Sequence, residues 1–267
     1  MRYNPIVEHL NFDTMASIYD GTRIFDEASF ARALDYVVGR FPPEKYPELF
    51  EPGIGTGRIA IPFAERGYKV TGADISTEML KKLKEKLKRR PLPVTFIRQD
   101  ITELPFKDSS FDLAVAVHVF HLIKEWKKAL AEVFRILKPG RPLILMYTGG
   151  GKEVPWVQDK YRELCADCGH PATHIGAAGG KLREYLKENG FRLEVIENRW
   201  QWTRKSRVDE AFEGIRQRHY GMTRLVPESI HLDVMKKLES ETLRQYGTLE
   251  KEVEVPHQIT LLIVTAP

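Results

Sequence analysis

The sequence is short of cysteine and of long apolar segments. Two cysteines in 267 residues cannot make the disulfide framework of a small secreted domain, so a reducing cytoplasm is the expected compartment. No run of about 18 apolar residues occurs, which predicts that nothing spans a bilayer. The first residues contain no apolar signal core and no cleavage site, so no secretory signal is predicted.

Neither sign of charge is in large excess. The chain has 41 Lys and Arg against 37 Asp and Glu, a formal net charge of +4, which by itself argues for neither nucleic acid nor a membrane as partner. The most basic stretch, residues 81–90, has Leu83 and Leu87 at helical spacing and no aromatic side chains for base stacking. It is interpreted as a solvated helix face. Asn and Gln are scarce beside Lys, Arg and Glu, which is typical of a thermophilic source.

The chain does contain a regular alternation of strand and helix patterns. This alternation is typical of an α/β fold with a parallel sheet and helices on both faces. Strands are predicted at 49–51, 68–74, 94–100, 111–119, 142–148, 191–202 and 257–267. Helices are predicted at 57–66, 76–90, 125–137, 154–169 and 179–191, with two more within 207–246.

The length suits one domain that carries a cap. We predict a single domain over residues 1–267, with a cofactor-binding core at about 30–150 that is completed by elements at 179–202 and 253–267. A connection as long as the one between these last two elements is typical of a cap over a ligand crevice. The predicted cap elements are residues 1–29, 151–178 and 203–250.

A glycine-rich turn follows the first strand. In FEPGIGTGRIA, residues 50–60, glycines stand at positions 53, 55 and 57 before a predicted helix. Ligands of an open parallel sheet bind beyond the carboxyl ends of the strands, and glycine lets a cofactor approach the backbone there. Alone, this turn is compatible with a dinucleotide, a phosphate or a cofactor without phosphate.

Acidic residues around the turn indicate which of these three kinds of ligand it binds. Glu51 precedes the glycines, Asp74 ends the second strand 21 residues after Gly53, and Asp100 ends the third strand. Asp74 stands at the usual reach for a carboxylate that binds two ribose hydroxyls. The acids would repel a pyrophosphate and attract an amino group and a sulfonium. The spacing is also G-x-G-x-G rather than the G-x-G-x-x-G of dinucleotide sites.

The motifs FEPGIGTGRIA, GADIS, RQDITELPF, FDLAVAVHVFHLI and LKPGRPLIL occur in that order, and FDTMASIYD precedes them. This series, over residues 12–148, resembles class I S-adenosylmethionine (SAM)-dependent methyltransferases. The most similar group is the small-molecule, type 11-like group that includes ubiquinone and menaquinone biosynthesis enzymes. The resemblance implies a Rossmann-like, seven-stranded, mostly parallel sheet with an antiparallel last strand, plus a helical cap.

The resemblance also implies a cofactor site, position by position. Glu51, Gly53 and Gly55 would line the methionine part of SAM. Asp74 would bind the ribose hydroxyls, and Asp100 would accept a hydrogen bond from the adenine amino group. The other implied contacts are Ile75 and Met79 flanking the adenosine, Ile101 beside the adenine ring, and Val117 and His118 near the methionine part or the methyl.

The segment before the core is expected to close the site. The resemblance implies that Tyr19 closes over the cofactor. Arg23, one helical turn later, is expected from spacing and charge to pair with the SAM carboxylate. Val117 and His118 depart from the family, which more often has small or polar residues at these positions.

Two histidines are candidate catalytic residues. His118 and His121 lie where the fourth strand gives way to a turn, and imidazole titrates near neutrality, as a general base should. The alternative for His121 is a local hydrogen bond. Methyl transfer does not strictly require a base, because in-line positioning alone can supply roughly 7–11 kcal/mol.

A cluster of soft ligands was weighed as a zinc site. Cys165, Cys168, His170 and His174 fall within ten residues, and all four types of side chain are zinc ligands. The second pair is too close to the first for an ordinary zinc finger, and the cysteines lie one turn apart on a predicted helix. We therefore predict no metal.

The later part of the chain is rich in aromatic residues and cations. Its large side chains either wall an apolar pocket for the acceptor or form ordinary core, and a basic cluster would suit an anionic or phenolic acceptor. The first set is Tyr147, Trp156, Trp200, Trp202, Phe212, Tyr220 and Met222, and the second is Arg216, Arg218, His219 and Tyr220.

The sequence thus predicts an enzyme that transfers the SAM methyl group to an oxygen, nitrogen or carbon of a small organic acceptor and releases S-adenosylhomocysteine. One alternative is an NAD(P)-dependent oxidoreductase, which would share the glycine turn and the ribose-binding acid. Another is a non-catalytic SAM-binding protein. The sequence identifies neither the acceptor nor the oligomeric state.

Overall fold

A computed structural model describes residues 12–22, 26–148, 154–177 and 180–267. Within them, seven strands form one sheet in the order β3-β2-β1-β4-β5-β7-β6. Strands β1 to β5 run parallel, whereas β7 runs antiparallel to both β5 and β6. The predicted fold class is therefore confirmed. The strands are β1 Glu48–Pro52, β2 Lys69–Asp74, β3 Val94–Arg98, β4 Leu113–Val117, β5 Leu143–Thr148, β6 Arg192–Arg207 and β7 Glu252–Thr265.

Helices lie on both faces of the sheet and above its carboxyl end. None of those in the described ranges is both long and apolar enough to cross a membrane. Two 3-10 turns, Asp13–Met15 and Phe120–Leu122, accompany them. The α-helices are α1 Tyr19–Thr22, α2 Glu27–Arg40, α3 Ala60–Ala64, α4 Thr77–Arg89, α5 Trp126–Ile136, α6 Pro155–Asp167, α7 Lys181–Glu188, α8 Val208–Arg216, α9 Gly221–Arg224 and α10 Glu228–Tyr246.

The buried side chains of the strands pack against one of two helical layers, because successive residues of a strand point to opposite faces. Leu49 of β1 packs in a cluster with side chains of α2, α3 and α4. Its neighbour Phe50 packs in a second cluster with α5 and α7. Both residues are fully buried, as expected for parallel strands covered on both faces.

Helix α4 is capped by Ser76, the first residue of the helix predicted at 76–90. The Ser76 hydroxyl accepts a hydrogen bond from the backbone N–H of Met79 at 3.1 Å, and Glu78 lies in the first turn, where the helix dipole favours an acid. Leu80 and Leu83 are buried against the sheet. Most of the basic residues are exposed, as predicted for a solvated helix face, whereas Lys86 donates to the backbone carbonyl of Thr56.

Helix α3 is shorter than the predicted 57–66. Gly57 has φ +76°, a left-handed backbone conformation that an α-helix does not contain. The glycine turn therefore continues to Ile59, and the helix begins at Ala60.

Strand β6 extends five residues beyond the predicted end at 202, and β7 begins five residues before the predicted start at 257. Both strands continue beyond the sheet as a two-stranded ribbon, which pairs residues 203–207 with residues 252–256. The polypeptide between them and the region after β5 form the cap, defined here as residues 154–177 and 208–250. The cap has a hydrophobic core of its own, which includes Val157, Tyr161, Phe212, Val234 and Leu238.

Candidate functional site

A cavity lies at the carboxyl end of the sheet, where the glycine turn meets the ends of β2, β3 and β4. It contains about 690 Å³ of empty space, including its open mouth. Ten of the twelve predicted cofactor-binding residues line it. They are Tyr19, Gly53, Gly55, Asp74, Ile75, Met79, Asp100, Ile101, Val117 and His118.

The glycine turn brings backbone close to this cavity. Gly53 and Gly55 have φ of +71° and +52°, which L side chains rarely adopt. A Cβ on Gly53 would lie 2.7 Å from Cγ2 of Val119, so this position has no room for a side chain. A Cβ on Gly55 would meet nothing closer than 3.9 Å. A side chain there would extend into the space that a cofactor would occupy.

Asp74 is held between the glycine turn and helix α4. Its Oδ2 accepts a hydrogen bond from the backbone N–H of Gly55 at 2.9 Å, and its Oδ1 accepts one from the N–H of Ser76 at 2.8 Å. Burial raises the pKa of the Asp74 carboxyl, although these two backbone N–H groups counteract the rise. Each oxygen retains a further lone pair, so the carboxylate can accept additional hydrogen bonds from a ligand.

Glu51 does not line the cavity and lies behind the glycine turn. It is 3% exposed, and its Oε2 has no hydrogen-bond partner. Burial raises the pKa of the Glu51 carboxyl well above its ordinary value, and the positive charge of Arg58 opposes the rise. An unpartnered buried oxygen of this kind is costly and is suited to meet a positively charged or hydrogen-donating group.

Asp100 has a structural contact in addition to its place on the cavity wall. Its Oδ1 accepts a hydrogen bond from the backbone N–H of Thr102 at 2.8 Å, the local turn that acidic residues commonly make. The turn fixes the side chain at the end of the third strand. Asp100 therefore both forms this turn and lines the cavity.

His118 combines cavity exposure with an unusual backbone. Its φ is +51°, a conformation that is rare for a residue with a side chain and that is found preferentially at functional sites. Its Nε2 lies 2.9 Å from the hydroxyl oxygen and 3.1 Å from the carbonyl oxygen of Thr148, at the end of β5. The neighbouring strand thus fixes the orientation of the imidazole ring.

Comparison with known proteins identifies the core of the chain. Residues 50–145 match the family model described as a methyltransferase domain. The demethylmenaquinone methyltransferase of Renibacterium salmoninarum is 36% identical over 138 residues, which are 50% of this chain and 55% of that protein. Residues 50–145 are therefore similar to a methyltransferase domain. The chain spans about half the length of the curated relatives it matches.

Solved structures agree with this domain at the level of the fold. The YcgJ protein of Bacillus subtilis has a TM-score of 0.58 and 16% sequence identity, and the match covers 88% of this chain and 99% of that one. Phosphoethanolamine N-methyltransferase 2 of Haemonchus contortus, solved with phosphomonomethylethanolamine and S-adenosylhomocysteine, has a TM-score of 0.56 and 21% identity over 96% of this chain and 57% of that one.

Two predicted site residues, His121 and Arg23, are not on the wall of the cavity as described. His121 is not part of the cavity wall formed by the described residues. Its ring packs edge-on against His174, with centroids 4.7 Å apart, and its centroid lies 6.2 Å from that of His118. Arg23 lies outside the described residues.

Six residues of the cavity wall were not predicted as binding residues. Each is close in sequence to a recognised motif: one begins the FDTMASIYD segment, two adjoin Asp74 or Asp100 in the chain, and three follow β4. The proximity to these motifs is the signal that could have found them. They are Phe12, Ser76, Gln99, Val119, Leu122 and Ile123.

Most cap residues that were weighed as acceptor contacts have structural contacts. Phe212 and Met222 belong to the cap core. Trp200 packs edge-on against Tyr36 of α2. The guanidinium of Arg218 donates to the backbone carbonyls of residues 223 and 226 and pairs with residue 228. Core packing therefore explains much of this set, and Arg218 is committed to holding α9.

The cysteines lie at the end of α6. Cys165 is buried and Cys168 is partly exposed. Burial raises the pKa of the Cys165 thiol, which makes it a poor nucleophile. In the described parts of the chain no three His, Cys, Asp or Glu side chains are arranged to hold a metal ion.

Proposed function

We propose that this protein transfers the sulfonium methyl group of SAM to an oxygen, nitrogen or carbon nucleophile of a small organic acceptor. The observation that carries the proposal is the single cavity that brings together the glycine turn, Asp74 and Asp100 at the carboxyl end of the sheet. The methyltransferase family match of residues 50–145 supports it, and favours it over an oxidoreductase.

The chemistry of the cavity fits SAM. The space in front of Gly55 admits a ligand against the backbone. Asp74 would accept from the ribose hydroxyls and Asp100 from the adenine amino group. Apolar side chains such as Ile101 and Leu122 line the same cavity and would cover the adenine ring.

When bound, SAM supplies a methyl group on a positively charged sulfur that is a good leaving group. The protein's contribution would be to hold the reacting atoms in line and to exclude water. His118 is the residue best placed to take a proton from an O–H or N–H acceptor, because its ring is on the cavity wall and is oriented by Thr148. A carbon acceptor would use the same geometry.

Calorimetric binding of S-adenosylhomocysteine tests the proposal. We expect about micromolar affinity, and Asp74→Ala should weaken it about 100-fold, because each hydrogen bond to a charged group contributes about 1.5–3 kcal/mol. Asp35→Ala is a matched control, since Asp35 pairs with Arg66 on the surface at 3.0 Å away from the cavity wall.

NADH should not bind, and turnover of SAM with a panel of small acceptors would separate an enzyme from a non-catalytic binder. Absence of S-adenosylhomocysteine binding by the wild-type protein would refute the proposed function. Equal affinity of Asp74→Ala and wild type would refute the assigned role of Asp74.

A further inference from the structure

Residues 12–22, here named the strap, are tied to the glycine turn through Asp20. One carboxylate oxygen of Asp20 accepts a hydrogen bond from the hydroxyl of Thr56 at 2.6 Å, and the other pairs with Nζ of Lys86 at 2.7 Å. Lys86 also donates to the backbone carbonyl of Thr56 at 2.9 Å. Thr56 is 1% exposed and stands between two glycines of the turn. These three residues, named the latch, join the strap to one cofactor motif.

The other end of the strap is tied to the second cofactor motif. Oδ1 of Asp13 accepts hydrogen bonds from the hydroxyl of Ser76 at 2.5 Å and from the backbone N–H of Glu78 at 3.1 Å. Ser76 is the residue whose N–H donates to Asp74. Asp13 therefore lies across the first turn of α4, where an acid is favoured. Each end of the strap bears on a different cofactor-binding motif.

Between these two ties the strap forms part of the cavity wall. Phe12 and Tyr19 both line the cavity, and their rings pack edge-on with centroids 6.2 Å apart. Met15 and Ala16 are buried against Met79 of α4. A ligand that fills this cavity is therefore covered on one side by the strap.

The opposite side of the strap faces the cap. A solvent-open groove separates Ile18 and Gly21 from Asp209 and His219. Elsewhere on the strap, the guanidinium of Arg224 from the cap lies over the ring of Phe12, 4.7 Å from its centroid. The strap is thus one wall shared by the cofactor cavity and by the groove beneath the cap.

We propose that Asp20, through the latch, is a positioning residue that keeps the strap closed, and that opening of the strap sets the rates at which cofactor enters and product leaves. The proposal rests on the proposed function. With the latch formed, Phe12 and Tyr19 of the strap cover one side of the cavity, so release of the latch would widen the path to the cofactor site. Its ion pair is partly exposed, at 45% for Asp20 and 35% for Lys86, and such pairs are weak enough to break readily.

Surface plasmon resonance with S-adenosylhomocysteine tests this proposal. Asp20→Ala should raise both the association and the dissociation rate constants, each about tenfold, since the hydrogen bond and ion pair that hold the strap are lost. Lys86→Met should act in the same direction with a smaller effect. Asp35→Ala, which removes a surface carboxylate paired with Arg66, should leave both rates unchanged. Thermal unfolding would verify that each variant is folded.

The two rates distinguish a latch from a merely structural contact. A damaged binding site would speed dissociation without speeding association, and that result would overturn the proposal. Hydrogen–deuterium exchange of residues 12–22 should be slowed by S-adenosylhomocysteine in the wild type and faster in Asp20→Ala without ligand. Unchanged rates in a folded Asp20→Ala would refute the latch alone, whereas no binding by the wild type would refute the proposed function.

Discussion

The interior of the sheet region and the interior of the cap are stabilised by different kinds of interaction. The sheet and its two helical layers are built on apolar side chains, and the functional groups at its edge are held mainly by backbone N–H groups, as Asp74 is by Gly55 and Ser76. The cap instead buries a pair of polar side chains, Tyr161 and His231, that are joined by a 2.8 Å hydrogen bond.

The polar pair in the cap has a defined donor and acceptor. Nε2 of His231 lies 3.2 Å from the backbone carbonyl oxygen of Arg216, which can only accept, so Nε2 carries the proton. Nδ1 is then the acceptor for the Tyr161 hydroxyl. The comparison teaches that the sheet region depends on backbone conformation, whereas the cap depends on particular side-chain partners.

Among the substitutions that test this comparison, Gly57→Ala is expected to cause the largest loss in the free energy of unfolding. A Cβ there would lie 2.4 Å from Cδ1 of the buried Leu83, and φ is +76°. Gly57→Ala combines left-handed strain with overpacking, so we expect a loss of about 2–4 kcal/mol in the free energy of unfolding. Urea denaturation measures it.

Gly169, beyond the end of α6 in the cap, is the matched control for that substitution. Its φ is +73°, yet nothing lies within 4 Å of an added Cβ. Gly169→Ala should cost only the strain, about 1 kcal/mol. Equal losses at both positions would show that close packing around the glycine turn adds nothing to its backbone strain.

A smaller effect is expected from Tyr161→Phe. The substitution leaves Nδ1 of His231 buried without a donor, which costs about 1–3 kcal/mol. Native-state hydrogen exchange should show faster opening of α6 and α10. Binding of S-adenosylhomocysteine should change by less than about twofold, since the two hydrophobic cores are separate. A large loss of affinity for S-adenosylhomocysteine would show that the cap and the cofactor site are not independent.

The smallest predicted effect is an opposite response to acid. Burial lowers the pKa of the His174 and His231 imidazoles in the cap, so the unfolded chain takes up protons first and stability is lost as pH falls below about 6.5. Burial raises the pKa of the Glu51 and Asp74 carboxyls. Their ionisation destabilises the folded protein as pH rises through the folded pKa, so acidification relieves this cost.

Between pH 7 and pH 5 we therefore expect the cap to lose about 1 kcal/mol of local stability, while the strands beside the glycine turn lose less or gain. Hydrogen exchange of α10 and of β1, corrected for the intrinsic rate at each pH, measures the two responses. A parallel loss in both regions would contradict the assigned titrations.

Sequence reasoning recovered the elements whose signals are local. Ser76 marks the start of α4, and the apolar run at residues 111–119 marks β4, because capping and burial leave a pattern within a few residues. The cavity residues were found through motifs for the same reason. The motifs lie together because each follows a parallel strand, and the carboxyl ends of parallel strands lie at the same edge of the sheet.

Contacts between distant residues left no such pattern. Asp20 and Thr56 are 36 residues apart and Tyr161 and His231 are 70 apart, and nothing near any of them indicates its partner. The extension of β6 beyond residue 202 was not predicted because its inward-facing positions there, Arg204 and Ser206, are polar, so no apolar alternation marks the strand.

The ribbon also has a consequence for how this chain can be altered. Arg207 and Glu252 are paired across β6 and β7, so the segment inserted between them leaves and re-enters the sheet at adjacent points. The entropy of closing such an excursion grows only slowly with its length. Residues 208–251 therefore form a natural cassette for recombination: a segment of different length and sequence can be grafted between the same two paired residues without altering the register of any strand.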